Sequence, residues 1–249
     1  MDQDEHARRA SSFGSQAAAY AEYRPDYPAE LLAWALAPLR GCRTKLRVLD
    51  IGAGTGKLSA GLLAQDVDVV AVEPDPAMRA ELTSRFPEVD AMPGSAEELP
   101  LPDSSVHAAF AGQALHWFDL DRALPEIRRV LRPGGFLVAM WNAYDDKVPW
   151  VAEFCAASGS VARSDQDIES DILDPLGRTE VIEFPNRIRR TVDSLVATVA
   201  TQSDMLISTP EERDRTLAAV REYLLANPMT ARGEFDVPIQ TFAIRATPS

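Results

Sequence analysis

Residues 48–56 read Val48-Leu49-Asp50-Ile51-Gly52-Ala53-Gly54-Thr55-Gly56, a short apolar strand that runs into three glycines on alternate positions. A turn without side chains lets a ligand lie against the backbone, and the helix expected next offers the N–H groups of its first turn. This strand–turn–helix unit points to a nucleotide-type site in an α/β sheet. Two glycine patterns can be set aside by counting. A Walker A loop needs four residues between its first glycine and Gly-Lys, followed by Ser or Thr; here Gly52 and Gly56 enclose three, and Lys57 precedes Leu58. The dinucleotide fingerprint G-x-G-x-x-G needs glycine at position 57, which is lysine.

From Val48 to Met140 short apolar strands alternate with amphipathic stretches, the pattern of a parallel sheet covered on both faces. The sequence predicts strands at about 46–51, 67–73, 89–93, 106–111 and 135–142, with helices at 57–65, 76–84 and 120–131. Asp75-Pro76 supplies an N-cap and a proline at N1, and Arg132-Pro133-Gly134-Gly135 cannot continue a helix. Residues 1–45 form a cap with a helix at 29–39. Residues 143–234 form an insertion with helices at 149–158, 192–202 and 210–226 and a strand near 179–184. Residues 235–249 hold a last strand at 235–245. We read one domain over 1–249, with the ligand-binding core at 46–142. A second βαβαβ half, which a dinucleotide site uses, is absent from this pattern.

A net charge of −13 argues against a nucleic-acid partner, because phosphate neutralisation needs clustered Lys and Arg. The basic groups Arg128-Arg129 and Arg187–Arg190 read as a solvated helix face and a solvated strand edge. No apolar run reaches the roughly 20 residues of a membrane span. The acidic start Met1-Asp2-Gln3-Asp4-Glu5 is unlike a signal peptide, so a cytoplasmic protein without membrane partners is expected, as monomer or homodimer. Cys42 and Cys155 lack metal or redox spacing and no metal site is expected.

Glu73 ends the second strand, 23 positions after Asp50, where α/β nucleotide sites place a carboxylate on ribose hydroxyls. After the third strand comes Gly94-Ser95-Ala96-Glu97-Glu98-Leu99-Pro100, and strand four leads into Gln113-Ala114-Leu115-His116-Trp117-Phe118-Asp119, where open α/β sheets bind ligands. The ordered set resembles the class I S-adenosylmethionine (SAM) dependent methyltransferases. His116 to Asp119, together with Phe13, Tyr20 and Tyr23-Arg24-Pro25-Asp26-Tyr27-Pro28, resembles their small-molecule, trans-aconitate-type group. The likeness covers roughly residues 13–142.

That resemblance implies a Rossmann-like, seven-stranded, mostly parallel sheet with helices on both faces and an antiparallel last strand, and SAM as cofactor. It assigns Asp50, Gly52, Gly54, Glu73 and Gln113 to the cofactor, with Asp50 either answering the positive charges of SAM or holding the glycine turn in shape. Adenine falls to the Ala96 backbone with either Ser95 or Glu97, since Ser95 stands where the family often has Asp. Tyr20 and Arg24 suit the methionine moiety; Arg24 equally suits a substrate carboxylate or a salt bridge to a neighbouring acid. His116, Trp117 and Trp141 fall on the acceptor side, with His116 either a base or a structural residue. The implied reaction is methyl transfer to a small-molecule acceptor, with carboxylate ahead of hydroxyl and amine. A nicotinamide-dependent reductase on a Rossmann-like half and a non-catalytic SAM-binding protein are the alternatives.

Overall fold

The apolar runs form strands in the computed structural model, which describes residues 24–42, 44–162, 172–202, 205 and 208–248. Phe13, Tyr20 and Tyr23 lie outside the described residues. The chain divides into two compact units, one comprising Asp26–Trp141, Glu169–Phe184 and Phe242–Ser249, the other Met1–Pro25, Asn142–Ile168 and Pro185–Thr241. The boundaries fall inside three strands, β5 (Leu131–Tyr144), β6 (Gly177–Arg190) and β7 (Phe235–Pro248).

In the first of these units β1 (Arg47–Ile51), β2 (Asp68–Val72), β3 (Asp90–Met92) and β4 (Val106–Gly112) join those three in a seven-stranded sheet of order β3-β2-β1-β4-β5-β7-β6. The pairs from β3 to β5 are parallel, and β7 runs antiparallel to both its neighbours. The expected architecture is therefore present. β1, β2 and β4 are buried almost throughout, so Val-Leu-Asp-Ile, Val-Val-Ala-Val and Val-His-Ala-Ala-Phe-Ala are continuous rather than alternating runs. The chain leaves β1 towards β2 and β3, then returns to β4 on β1's other side. That reversal opens a crevice at the carboxyl ends of β1 and β4, where doubly wound sheets bind ligands.

Helices α1 (Ala29–Leu36), α2 (Lys57–Leu63), α3 (Pro76–Arg85) and α4 (Leu120–Val130) cover this sheet. Leu31, Leu32 and Ala35 of α1, Leu58 and Leu62 of α2 and Leu82 of α3 pack with Val48, Val69, Ala108 and Phe110. Each fully buried side chain of the Leu or Phe size contributes roughly 1.5–3 kcal/mol. Asp75 caps α3 as expected, accepting from Ala77 N at 2.8 Å and Met78 N at 2.9 Å. Arg245 of β7 stacks on the Trp34 ring at 4.3 Å, donates to Trp34 O at 3.0 Å and pairs with Glu180, which makes Trp34 a packing residue.

Several boundaries differ from the sequence reading by a few residues, three of them for a clear physical reason. The helix at 29–39 ends at Leu36 and tightens into a 3₁₀ turn over Ala37–Leu39, because Pro38 has no N–H and crowds the preceding turn. The fifth strand begins at Leu131, not at Gly135. Arg132-Pro133-Gly134-Gly135 stops α4 but stays within β5 as an irregularity, the register passing from Val106↔Leu131 to Ala108↔Phe136. The strand near 179–184 extends over Gly177–Arg190. As the last strand of the sheet it tolerates Pro185 and alternating charges, which masked its length in the sequence.

The other unit holds α5 (Pro149–Ser158), α6 (Val192–Ala200) and α7 (Pro210–Ala226), the first and last with the bounds expected. Val151, Phe154, Leu195, Val199, Val220 and Leu224 form its core. Thr191 with Ser194, and Thr209 with Glu212, close capping boxes on α6 and α7. Arg189 lies against Glu234 at 3.4 Å and Asp236 at 3.2 Å, so the basic group at 187–190 is an exposed ion-paired strand edge. Among the described residues no helix is long and apolar enough to cross a membrane.

Candidate functional site

β1 delivers Asp50 and the glycine turn to the crevice beside β4. Four of the turn's amides are committed: Gly52 N donates to Val72 O at 2.9 Å, Ala53 N to the same oxygen at 3.3 Å, Gly54 N to Glu73 Oε2 at 2.8 Å and Gly56 N to Ala53 O at 2.9 Å. A phosphate cradle needs such donors free, so these four amides do not form an anion nest. Gly52 (φ +66°) is required by packing, since a Cβ there would stand 2.9 Å from Ala114 Cβ. Gly54 (φ +56°) is different: a Cβ there would meet nothing within 4 Å, so Gly54 is the glycine whose bare backbone faces open space.

Two buried carboxylates flank the turn. Glu73, 7% exposed, accepts from Gly54 N through Oε2 and from Asp75 N through Oε1, each at 2.8 Å. Holding the turn in shape thus falls to Glu73, a job its sequence position did not announce. Burial pushes its carboxyl above the ordinary range, and these backbone hydrogen bonds oppose the shift. Asp50, 1% exposed, takes a 2.6 Å hydrogen bond from Ser59 Oγ on Oδ2, while Oδ1 is buried and accepts no hydrogen bond. Burial first, and the neighbouring Glu73 charge less, push Asp50 up to about 7; the Ser59 hydroxyl, and to a smaller degree the Ser59 backbone, oppose them. A buried acceptor without a partner is a cost the fold carries for a reason.

The segment after β3 and the segment after β4 meet at one point, where Glu97 Oε1 accepts from Asp119 N at 2.9 Å. Glu97 therefore ties the two ligand-facing segments together. Ser95 is half-buried and its carbonyl accepts from Glu98 N at 3.3 Å. Gln113 adopts φ +54°, an uncommon left-handed conformation for a residue with a Cβ, and its N–H donates to Met140 O at 2.8 Å. Ala114 and Phe118 then pack against Gly52. The structure so brings Asp50, Gly52, Gly54, Glu73, Ser95, Ala96, Glu97 and Gln113 to the carboxyl ends of β1 to β4.

Arg129 was read as part of a solvated helix face, and the structure corrects this. Its guanidinium donates to Glu126, Asp103, Leu99 O and Leu101 O at 2.7–3.0 Å, and Glu126 accepts from Leu99 N at 2.9 Å. The pair clamps residues 99–103, which follow directly on Ser95–Glu98. Arg129→Ala is expected to lower stability by about 1–2 kcal/mol, discounted for partial exposure. Thermal melting measures the loss, and hydrogen exchange should quicken at Leu99.

Other expected residues are placed less centrally. His116 is exposed on a 3₁₀ turn, Leu115–Trp117, with its ring 4.9 Å from that of half-buried Trp117. Trp141 stacks on Phe242 at 5.2 Å. Arg24 belongs to the other unit, where Nη2 donates to Thr201 O at 3.2 Å. Tyr20 lies outside the described residues. A cavity of about 400 Å³ among α1, α2 and the end of α3, lined by Tyr27, Thr55, Lys57, Arg85 and Phe86, contains neither Asp50 nor Glu73.

An uncompensated buried carboxylate, a turn with four of its amides bonded within the protein and an open glycine backbone suit a ligand that brings positive charge rather than phosphate. Residues 49–139 match the methyltransferase domain family. An uncharacterized methyltransferase from Mycobacterium tuberculosis is 40% identical over 242 residues, 95% of each chain. The chain belongs to the methyltransferase family. SAM, which carries a sulfonium and an ammonium against one carboxylate, is the methyl donor of this methyltransferase, and the charge pattern at Asp50 fits it. A solved type II methyltransferase structure from Anaeromyxobacter dehalogenans is 26% identical, with a TM-score of 0.60 over 91% of this chain and 97% of that one. Malonyl-[acyl-carrier protein] O-methyltransferase from Methylococcus capsulatus is 44% identical over 97 residues, 36% of this chain and 35% of that one. The nicotinamide reading is thereby set aside.

Sequence reasoning missed Ser59 and the Glu126–Arg129 clamp in this methyltransferase. Ser59 did leave a signal, a hydroxyl between Leu58 and Leu62 on the buried stripe of α2.

Proposed function

We propose that this methyltransferase transfers the SAM methyl group to a small-molecule acceptor, with a carboxylate favoured. The observation that carries the cofactor half is the buried, uncommitted Oδ1 of Asp50 beside an open glycine backbone. We assign Glu73 to the ribose hydroxyls as well as to the turn, since each of its oxygens keeps a second lone pair. Ser95, Ala96 and Glu97 border adenine, and Gln113 the methionine moiety. When bound, SAM supplies an electrophilic methyl group already carrying its activating charge. The protein's task is to align the acceptor and exclude water.

The acceptor proposal rests on the trans-aconitate-type resemblance, on the relative named for O-methylation of a malonyl group, and on His116. That imidazole is exposed, whereas an acceptor that must lose a proton needs a positioned base. A carboxylate already ionised at neutral pH needs none. Trp117 and Trp141 are the rigid surfaces we place beside the acceptor. We place the protein in the cytoplasm, as monomer or homodimer.

Methyl-labelled SAM incubated with a metabolite extract tests this directly. The label should appear in a low-mass product that mild base hydrolyses, as a methyl ester does. A base-stable product would overturn the carboxylate assignment but keep the enzyme class. His116→Ala should hold turnover within about threefold with its pH profile intact; loss of the profile would make His116 the base of a hydroxyl or amine methylation.

A further inference from the structure

Ser59 has no role in the reading above, yet it is 0% exposed and its hydroxyl is spent on one carboxylate oxygen. A serine on the apolar stripe of α2 costs burial energy that alanine would avoid, unless the hydrogen bond matters. Of the two oxygens of Asp50, one has Ser59 and the other has nothing. We propose that Ser59 is a positioning residue for SAM: its hydrogen bond fixes the Asp50 carboxylate beneath the glycine turn and stabilises its ionised form, leaving the charge on Oδ1 to be answered by the cationic methyl donor.

This rests on the SAM reading of the turn and deepens it. The charged group acting on Asp50 from the neighbouring strand end is Glu73, which disfavours ionisation; burial does so more strongly, and Ser59 is the partner that works the other way. In water a hydroxyl–carboxylate hydrogen bond would be worth little, but in a buried site the Coulomb energy is several-fold larger. If the ligand's positive charge faces ionised Asp50, its binding to the protonated site releases one proton from Asp50 to solvent. Affinity therefore falls on acidification, and removing Ser59 moves that fall to higher pH.

The test is SAM affinity by isothermal titration calorimetry from pH 5.5 to 9 for wild type, S59A, D50N and the double variant. S59A should lose about tenfold in affinity at pH 7, recover most of it by pH 9, and show its acid limb displaced upward by about one pH unit. In the D50N background S59A should change affinity less than twofold, because Ser59 acts through Asp50. S59C, nearly isosteric with a weaker donor, should fall between, and serves if S59A does not fold. A uniform loss at all pH values, or the same loss in the D50N background, would overturn the inference. If wild type itself binds no SAM, the cofactor reading fails rather than the role of Ser59.

Discussion

Replacing Asp50 with asparagine is expected to raise the melting temperature of the ligand-free protein at pH 8 while weakening SAM binding at least tenfold. The sign follows from burial. With its carboxyl pushed up to about 7, folded Asp50 holds a proton that the unfolded chain has already released above about pH 4. Its contribution to stability is most favourable below the unfolded value and is lost as pH rises through about 7. At pH 8 the fold encloses a carboxylate charge with a single hydrogen-bonded oxygen. Asparagine removes that charge and should gain on the order of 2 kcal/mol, an advantage that shrinks towards pH 4. The same substitution removes the anion that attracts the methyl donor, and tenfold in affinity is only about 1.4 kcal/mol. Thermal melting at pH 5 and pH 8, with and without SAM, separates the effects. A variant that melts lower and binds SAM unchanged would make Asp50 purely structural.

Glu73→Ala should act in the opposite direction on stability. It leaves Gly54 N–H and Asp75 N–H without their acceptor, each worth about 1–3 kcal/mol when buried and unmade, so a loss of about 2–6 kcal/mol is expected by chemical denaturation. SAM affinity should fall by about 1–3 kcal/mol as well, through the lost ribose contact and the loosened turn. Because the Glu73 charge also disfavours ionisation of Asp50, the acid limb of SAM binding should move to lower pH in this variant. That shift distinguishes electrostatic coupling between the two carboxylates from simple unravelling of the turn, which leaves the limb in place. Glu73→Gln keeps one acceptor oxygen and should recover part of the stability.

Much of this could be seen in the chain itself, and the reasons are local. Val48 to Ile51, Asp68 to Val72 and Val106 to Gly112 are apolar runs bounded by turn residues, so periodicity and length fixed their kind. Asp75-Pro76 marked the start of α3 through chemistry that operates within four residues. What local pattern does not carry is which group meets which. That Glu73 rather than Asp50 bonds the glycine turn depends on the rotation of two side chains on adjacent strands. That Arg129 grips residues 99–103 depends on where α4 lies relative to the loop before β4. Ser59 is nine residues from Asp50, and only the packing of α2 on β1 makes them partners. The long edge strand β6 was concealed by its position, because an edge tolerates the proline and the charges that interior strands reject.

In the proposed binding mode SAM lies on the open backbone of Gly54 with its ribose on Glu73 and its positive charge facing Asp50. The most direct measurement is a crystal structure with S-adenosylhomocysteine bound. Both ribose hydroxyls are expected within hydrogen-bond distance of the Glu73 carboxylate, with adenine beside Ser95–Glu97 and the amino acid portion towards Gln113. A ligand seated instead in the cavity among α1, α2 and Phe86, or one that leaves Glu73 untouched, would contradict it.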